Sequence, residues 1–187
     1  KAGVFVEDRF LEFYTEPRDL EAADFVLKEK LGSAQKPFIT MSPGGGESWG
    51  KDAHFKRWPP KFFAEFLNQL KEKISFESVL ILGSSGEKEL AAEVVRGVSK
   101  PAVNLCGEVS FETAAALIQK SVLFTGNDGG LVHLACALDR PVIAFYGPVD
   151  PAVYGPYPEN PLRAAVFKEE LSCRPCYKKF RCKSDCA

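Results

Sequence analysis

Short apolar runs and amphipathic helical stretches alternate along this chain, and that alternation limits its fold more than any other feature. Apolar runs at 37–41, 78–83, 102–106, 121–125 and 141–146 read as strands. Helical patterns fall between them, at 59–73, 85–98, 110–119 and 129–138, and one more, at 19–31, precedes the first strand. In 59–73 a proline at the first turn is followed by Phe62, Phe63, Phe66, Leu67 and Leu70 on one face. In 19–31 the apolar set is Leu20, Ala23, Phe25, Val26, Leu27 and Leu31, and Gly32 is a natural stop. The strands are continuous apolar runs, so both faces of the sheet are expected to be covered. Strand–helix alternation with short connections predicts an α/β fold, a Rossmann-like, doubly wound parallel sheet. After residue 147 the pattern breaks into a Pro-rich and then a Cys-rich tail.

Size and charge narrow the function. The 187 residues suffice for one well-buried domain. With 24 basic against 25 acidic side chains, the chain lacks the basic excess of a domain that binds nucleic acid by neutralising phosphates. A local basic pocket for a small phosphorylated ligand remains compatible. No apolar run is long enough to span a bilayer, and the start at Lys1 turns acidic too soon for a secretory signal. The chain begins without Met, so it is expected to be a fragment of a longer protein.

In a doubly wound sheet, ligands bind outside the carboxyl ends of the strands, and this selects the loops to read. The first contains Gly44, Gly45 and Gly46, whose backbone amides can approach a phosphate closely, with Lys56 and Arg57 following just before Trp58 and Pro59. A flexible glycine loop with surface charges fits equally well. The Walker pattern is absent, and so is the third glycine of the dinucleotide fingerprint. The second loop carries Glu87, a carboxylate placed to accept ribose hydroxyls or simply to complement a helix N-terminus. The third, from Thr125 to Ala137, is the most specific. Asp128 is predicted to cap a helix whose first residues are Gly129 and Gly130, leaving backbone amides open to an anionic or hydroxyl-rich ligand. His133 lies one turn on, roughly on the same side, either facing that ligand or satisfied in the core. The stretch from Tyr146 to Pro151 would form a wall of the cleft, or a rigid turn set by two prolines.

Three segments in this order resemble glycosyltransferase family 9, which includes the lipopolysaccharide heptosyltransferases. They are Ser42-Pro43-Gly44 with Lys56-Arg57-Trp58-Pro59, then Leu82 to Glu87, then Asn127 to Ala135 continuing through Pro141 to Pro148. The resemblance spans roughly 37–160 and implies the C-terminal, donor-binding half of a two-domain GT-B transferase. It divides the chain into a linker and entry helix (1–32), a nucleotide-sugar-binding domain (33–170) and a Cys-rich tail (171–187). By position it implies that Ser42 and Gly44 line the donor diphosphate, that Lys56 pairs with it and stabilises the leaving group, and that Glu87 holds the ribose. Val109 and Ser110 would flank the adenine. Asp128, Gly129 and Gly130 would meet the sugar and phosphates, with His133 behind them. The stretch from Glu47 to Phe55 is longer than the usual loop, which makes Lys51 or Arg57 alternatives to Lys56.

The donor implied is a nucleotide sugar, ADP-heptose by default. The acceptor is the lipopolysaccharide core, reached through an N-terminal domain that also supplies the general base, so no catalytic base is expected here. No cofactor is required by the resemblance, and donor supply implies a cytoplasmic location with contact to the inner membrane through the absent half. Cys106 and Cys136 sit in apolar stretches and read as core residues. Cys173, Cys176, Cys182 and Cys186 could hold zinc or an iron–sulfur cluster, form a disulfide or stay free. Two competing readings are a GT-B sugar-nucleotide epimerase and a non-enzymatic nucleotide- or metal-binding module.

Overall fold

The computed structural model describes residues 10–46, 48–171 and 173–176. Its centre is a six-stranded sheet of β1 (Phe38–Ser42), β2 (Ser78–Ile81), β3 (Ala102–Asn104), β4 (Leu123–Asn127), β5 (Val142–Phe145) and β6 (Arg163–Val166), in the order β3-β2-β1-β4-β5-β6. Every pairing is parallel. This is the strand order of a dinucleotide-binding domain, with the topological switch point between β1 and β4. The five strands read from the sequence are all present. The sixth was not among them: Arg163–Val166 lies in the Pro-rich stretch and pairs with β5 from Val142↔Arg163 to Phe145↔Val166.

The continuous apolar runs are explained by helices on both faces. Along β1, β2 and β4 every residue is buried. One face is covered by α1 (Pro17–Leu31), α4 (Phe111–Lys120) and α5 (Gly130–Ala137), around Leu27, Leu80, Leu117 and Phe124. The other is covered by α2 (Pro60–Leu70) and α3 (Lys88–Gly97), around Ile39, Met41, Phe63, Leu67 and Ile81. Fully burying each of these large side chains contributes about 1.5–3 kcal/mol relative to exposure, which holds the strand ends in fixed positions.

Local signals set the boundaries. In α1, Pro17 opens the helix, the Asp19 carboxylate accepts from the Glu16 N–H at 2.9 Å, and Gly32 closes it at φ 72°. α1 packs on α4 with Ala23 and Leu27 fully buried, so the entry helix belongs to the packed body. A short α6 (Pro151–Tyr154) starts at Asp150, whose carboxylate accepts from the Ala152 N–H. Among the described residues no helix is long and apolar enough to cross a membrane.

Candidate functional site

The loops leaving β1 and β4 meet at the switch point. The long loop after β1 contains a 3-10 helix, Gly50–Lys56, that the apolar pattern did not reveal. Its last residue, Lys56, is buried, with Nζ 2.9 Å from Oδ2 of Asp128, which directly follows β4 and is buried as well. The ammonium also lies 5.6 Å from the centroid of the Trp49 ring. Asp128 is therefore not the cap predicted from the sequence. The N-cap of α5 is Gly129, in extended backbone (φ 178°), with no side-chain cap bond. A buried ammonium needs a counter-charge, and Asp128 supplies it. The first amides of α5 are left without a competing side chain.

These groups line a cavity of about 370 Å³. Lys56, Asp128, Gly129, Gly130 and His133 all line it. The two glycines serve different ends. A Cβ at Gly129 would stand 2.8 Å from the backbone of Gly45, so close packing of two loops requires it. A Cβ at Gly130 would meet nothing within 4 Å, because that position opens on the cavity at the N-terminus of α5. Val149, from the stretch expected to wall the cleft, completes the lining with Ser48, Trp49 and Tyr154, which were not singled out in the sequence. For Trp49 the available signal was a bulky aromatic between Ser48 and Gly50 in a loop of small residues.

Behind the cavity the loops are joined through Glu87. Its carboxylate is buried and accepts from the Gly46 N–H at 3.1 Å and from the Ser84 N–H at 2.8 Å. Ser84 and Glu87 form a capping box on the short 3-10 turn Ser85–Glu87 that leads into α3. A Cβ on Gly44 would fall 1.6 Å from Oε1 of Glu87, so the close approach of loop to carboxylate needs glycine there. Ser42 is buried at the end of β1, and Arg57 donates from Nε to the Gly44 carbonyl at 3.2 Å. Asn127 ties the loops further: its amide donates to the Pro43 carbonyl, and its Oδ1 accepts from the Trp58 N–H at 3.0 Å. Trp58 then stacks on Phe145 at 4.3 Å. Ser42, Gly44, Arg57 and Glu87 thus form the support beside the cavity and do not line it. The start of α2 presents Pro59 and Pro60, neither with an N–H, which makes it a poorer anion site than α5.

Val109 and Ser110 follow β3, two strands from the switch point. Val109 packs partly into the core, and Ser110 caps α4, accepting from the Thr113 N–H at 3.1 Å. Neither lines the cavity.

Burial shapes the titration of three neighbours. Burial, with the Glu87 carboxylate second, pushes the Cys106 thiol up to about 12. Burial likewise raises Cys136. Tyr146 is raised by burial and by the charge on Asp128, and its hydroxyl donates to the Tyr154 carbonyl at 3.0 Å. Among the described residues no group of three or more His, Cys, Asp or Glu is placed to hold a metal. Cys173 and Cys176 are described, whereas Cys182 and Cys186 lie outside the described residues.

Comparison with known proteins follows the same lines. Residues 8–186 match the sequence model of glycosyltransferase family 9 (heptosyltransferase). Lipopolysaccharide heptosyltransferase 2 of Salmonella typhimurium is 33% identical over 138 residues, covering 72% of this chain and 36% of that protein. Among solved structures, the E. coli ADP-heptose LPS heptosyltransferase II superposes with a TM-score of 0.65 at 26% identity, over 86% of this chain and 46% of that one. A family 9 glycosyltransferase from Veillonella parvula superposes with a TM-score of 0.72 at 20% identity, over 91% and 47%, a likeness of fold. The chain spans about half or less of the length of these relatives.

Proposed function

This chain belongs to glycosyltransferase family 9, the heptosyltransferases, and we propose that it is the donor-binding half of such a transferase, taking an ADP-sugar, ADP-heptose by default, for transfer to the lipopolysaccharide core. The observation that carries this reading is the cavity at the β1–β4 switch point, where Lys56, Asp128, the N-terminal amides of α5 and His133 converge. A diphosphate placed there would lie on the amides of Gly130 and Leu131 beside the Lys56 ammonium. The solved relative named for ADP-heptose, with its matching fold, supports adenine over other bases.

In the proposed reaction an acceptor hydroxyl attacks the anomeric carbon of the sugar, and the bond from that carbon to the β-phosphate oxygen breaks. The proton goes to a base on a part of the protein outside these 187 residues. Charge builds on the departing diphosphate, and Lys56 with the α5 amides is set to stabilise it. Asp128 orients Lys56 and offers its second carboxylate oxygen to the sugar. His133 lines the sugar side of the cavity. Glu87 supports the glycine loop and, by family resemblance, reaches the ribose, with Ser42 and Gly44 along the diphosphate and Val109 and Ser110 beside the adenine. The division into entry segment, binding domain and Cys tail follows the same reading, as does work at the inner face of a membrane.

Calorimetric titration of the chain with ADP, UDP and NAD tests this. ADP is expected to bind in preference to both, and Lys56→Met to weaken it at least tenfold, the loss of one charge-assisted contact. Equal affinity for the three nucleotides, or ADP binding unaffected by Lys56→Met, would overturn the reading.

A further inference from the structure

The segment just before the last described residue grips one wall of the cavity. The loop after β5 presents three consecutive carbonyls, those of Gly147, Pro148 and Val149. All three are taken by residues 174–176: Nε of Arg174 donates to Gly147 at 2.7 Å, Nη2 of Arg174 to Val149 at 2.9 Å, and the Cys176 N–H to Pro148 at 2.8 Å. The same guanidinium donates from Nη1 to the Lys168 carbonyl at 3.1 Å and stacks 4.7 Å over the Phe167 ring. Phe167 in turn packs on the core. A planar fork fits several carbonyls at once, which a point-charge ammonium does not.

The gripped loop touches the site at two places. Val149 is buried and lines the cavity. Gly147 packs against the backbone that carries Lys56: its Cβ position stands 3.2 Å from the Phe55 carbonyl oxygen and 3.9 Å from the Lys56 Cα. A prolyl residue between them adds no donor, and the loop's own carbonyls turn outward to the strap. Without the strap, those three carbonyls would have to be satisfied by water, and the wall would be free to shift.

We infer that Arg174 is a positioning residue for the donor: it holds the Gly147–Val149 wall, and through it the backbone of Lys56, in the conformation that binds a nucleoside diphosphate. This rests on the donor reading above. Arg174 itself lines no part of the cavity, so its effect is exerted through the loop alone.

The test compares Arg174→Ala and Arg174→Lys with the unaltered 187-residue chain. ADP affinity is read by calorimetry, and the site by fluorine NMR after labelling with 5-fluorotryptophan. The chain has two tryptophans. Trp49 lines the cavity, while Trp58 is stacked in the core on Phe145. ADP affinity is expected to fall about tenfold in both variants, as the share of chains whose wall holds the binding conformation falls by that factor. Methylguanidinium added below denaturing concentration should restore part of it in Arg174→Ala only. The Trp49 resonance should shift or broaden while that of Trp58 holds. A lower melting temperature with unchanged ADP affinity and an unchanged Trp49 resonance would overturn the inference. If the unaltered chain binds no ADP, the donor reading is what fails, and the Trp49 resonance alone decides whether Arg174 sets the wall.

Discussion

Lys56 and Asp128 stand 72 residues apart in sequence and meet at 2.9 Å, each with a side chain less than a tenth exposed. The pair joins the loop after β1 to the loop after β4. Removing either partner strands a buried charge, which for an enclosed pair costs about 3–5 kcal/mol and beside an open cavity about 2–3 kcal/mol. Lys56→Met and Asp128→Leu are each expected to lower the urea-unfolding free energy by that smaller amount. The double variant should lose less than the sum, with a coupling of about 1–2 kcal/mol. Strictly additive losses would mean the two charges do not interact.

On the proposed function, the same pair would set how an anion is received. Asp128→Asn leaves Lys56 with an unopposed charge, so inorganic pyrophosphate should bind several-fold more tightly, on the order of 1 kcal/mol. Lys56→Met should bind it more weakly. Titration of both variants with pyrophosphate checks this, and a weaker affinity in Asp128→Asn would show that the carboxylate is needed for the anion site.

Gly44 and Gly130 respond differently to one added methyl group. In Gly44→Ala the new Cβ collides with Oε1 of Glu87 and breaks the support under the glycine loop, at about 2–4 kcal/mol. In Gly130→Ala nothing is met within 4 Å, and a better helix former at the first turn leaves stability level or up to about 1 kcal/mol higher. Yet that methyl group enters the cavity, so nucleotide affinity should drop. Thermal melts with ADP titrations separate the two; a Gly130→Ala chain that binds ADP normally would place the ligand elsewhere.

Glu87 accepts two backbone N–H groups, and a glutamine can accept only one of them without turning its own donor toward the other. Glu87→Gln should therefore cost about 1–3 kcal/mol in stability. If the carboxylate also holds the ribose, the variant loses affinity for ADP and keeps it for pyrophosphate. Parallel losses for both ligands would confine Glu87 to loop support.

Cys106 gives the chain an alkaline limit. Its thiol is held near 12 when folded, whereas an unfolded cysteine titrates near 8.5. Below that lower value both states are protonated and the thiol adds no pH dependence. Above it the unfolded chain loses the proton first, so stability falls as pH rises toward 12. Cys136 acts in the same direction. Urea midpoints measured between pH 8 and 9.5 should decline more gently in Cys106→Ala, and an unaltered slope would contradict the assignment. Neither thiol should react with a thiol reagent at neutral pH until the chain unfolds.

Elements with strong apolar periodicity were legible in advance: the five strand–helix alternations through β5, the stop at Gly32, and the clustering of Asp128, Gly129, Gly130 and His133 at a carboxyl strand end. What was not legible has identifiable causes. Arg163–Val166 holds two alanines and an arginine among prolines, so β6 lacks the β-branched run that marks a strand; pairing with β5 makes it one. The 3-10 helix Gly50–Lys56 has no apolar period of its own. Asp128 fits the usual preference for an N-cap, and a partner far away in sequence overrode it. Glu87 could be read as a residue complementing a helix N-terminus, but the burial of its carboxylate depends on the loop after β1, from whose Gly46 N–H it accepts.

The strand order has a last consequence. The first half of the chain builds β1, β2 and β3 outward to one edge; the second returns by α4 and builds β4, β5 and β6 toward the other. Lys56 belongs to the first half and Asp128 to the second, so the cavity is a seam and neither half owns it. It cannot exist until β4 docks beside β1. Binding of the proposed nucleotide would therefore report that assembly is complete: a chain cut in the loop before α4 should gain that ligand only when its two pieces are mixed, and the ligand would then act as the rivet between them.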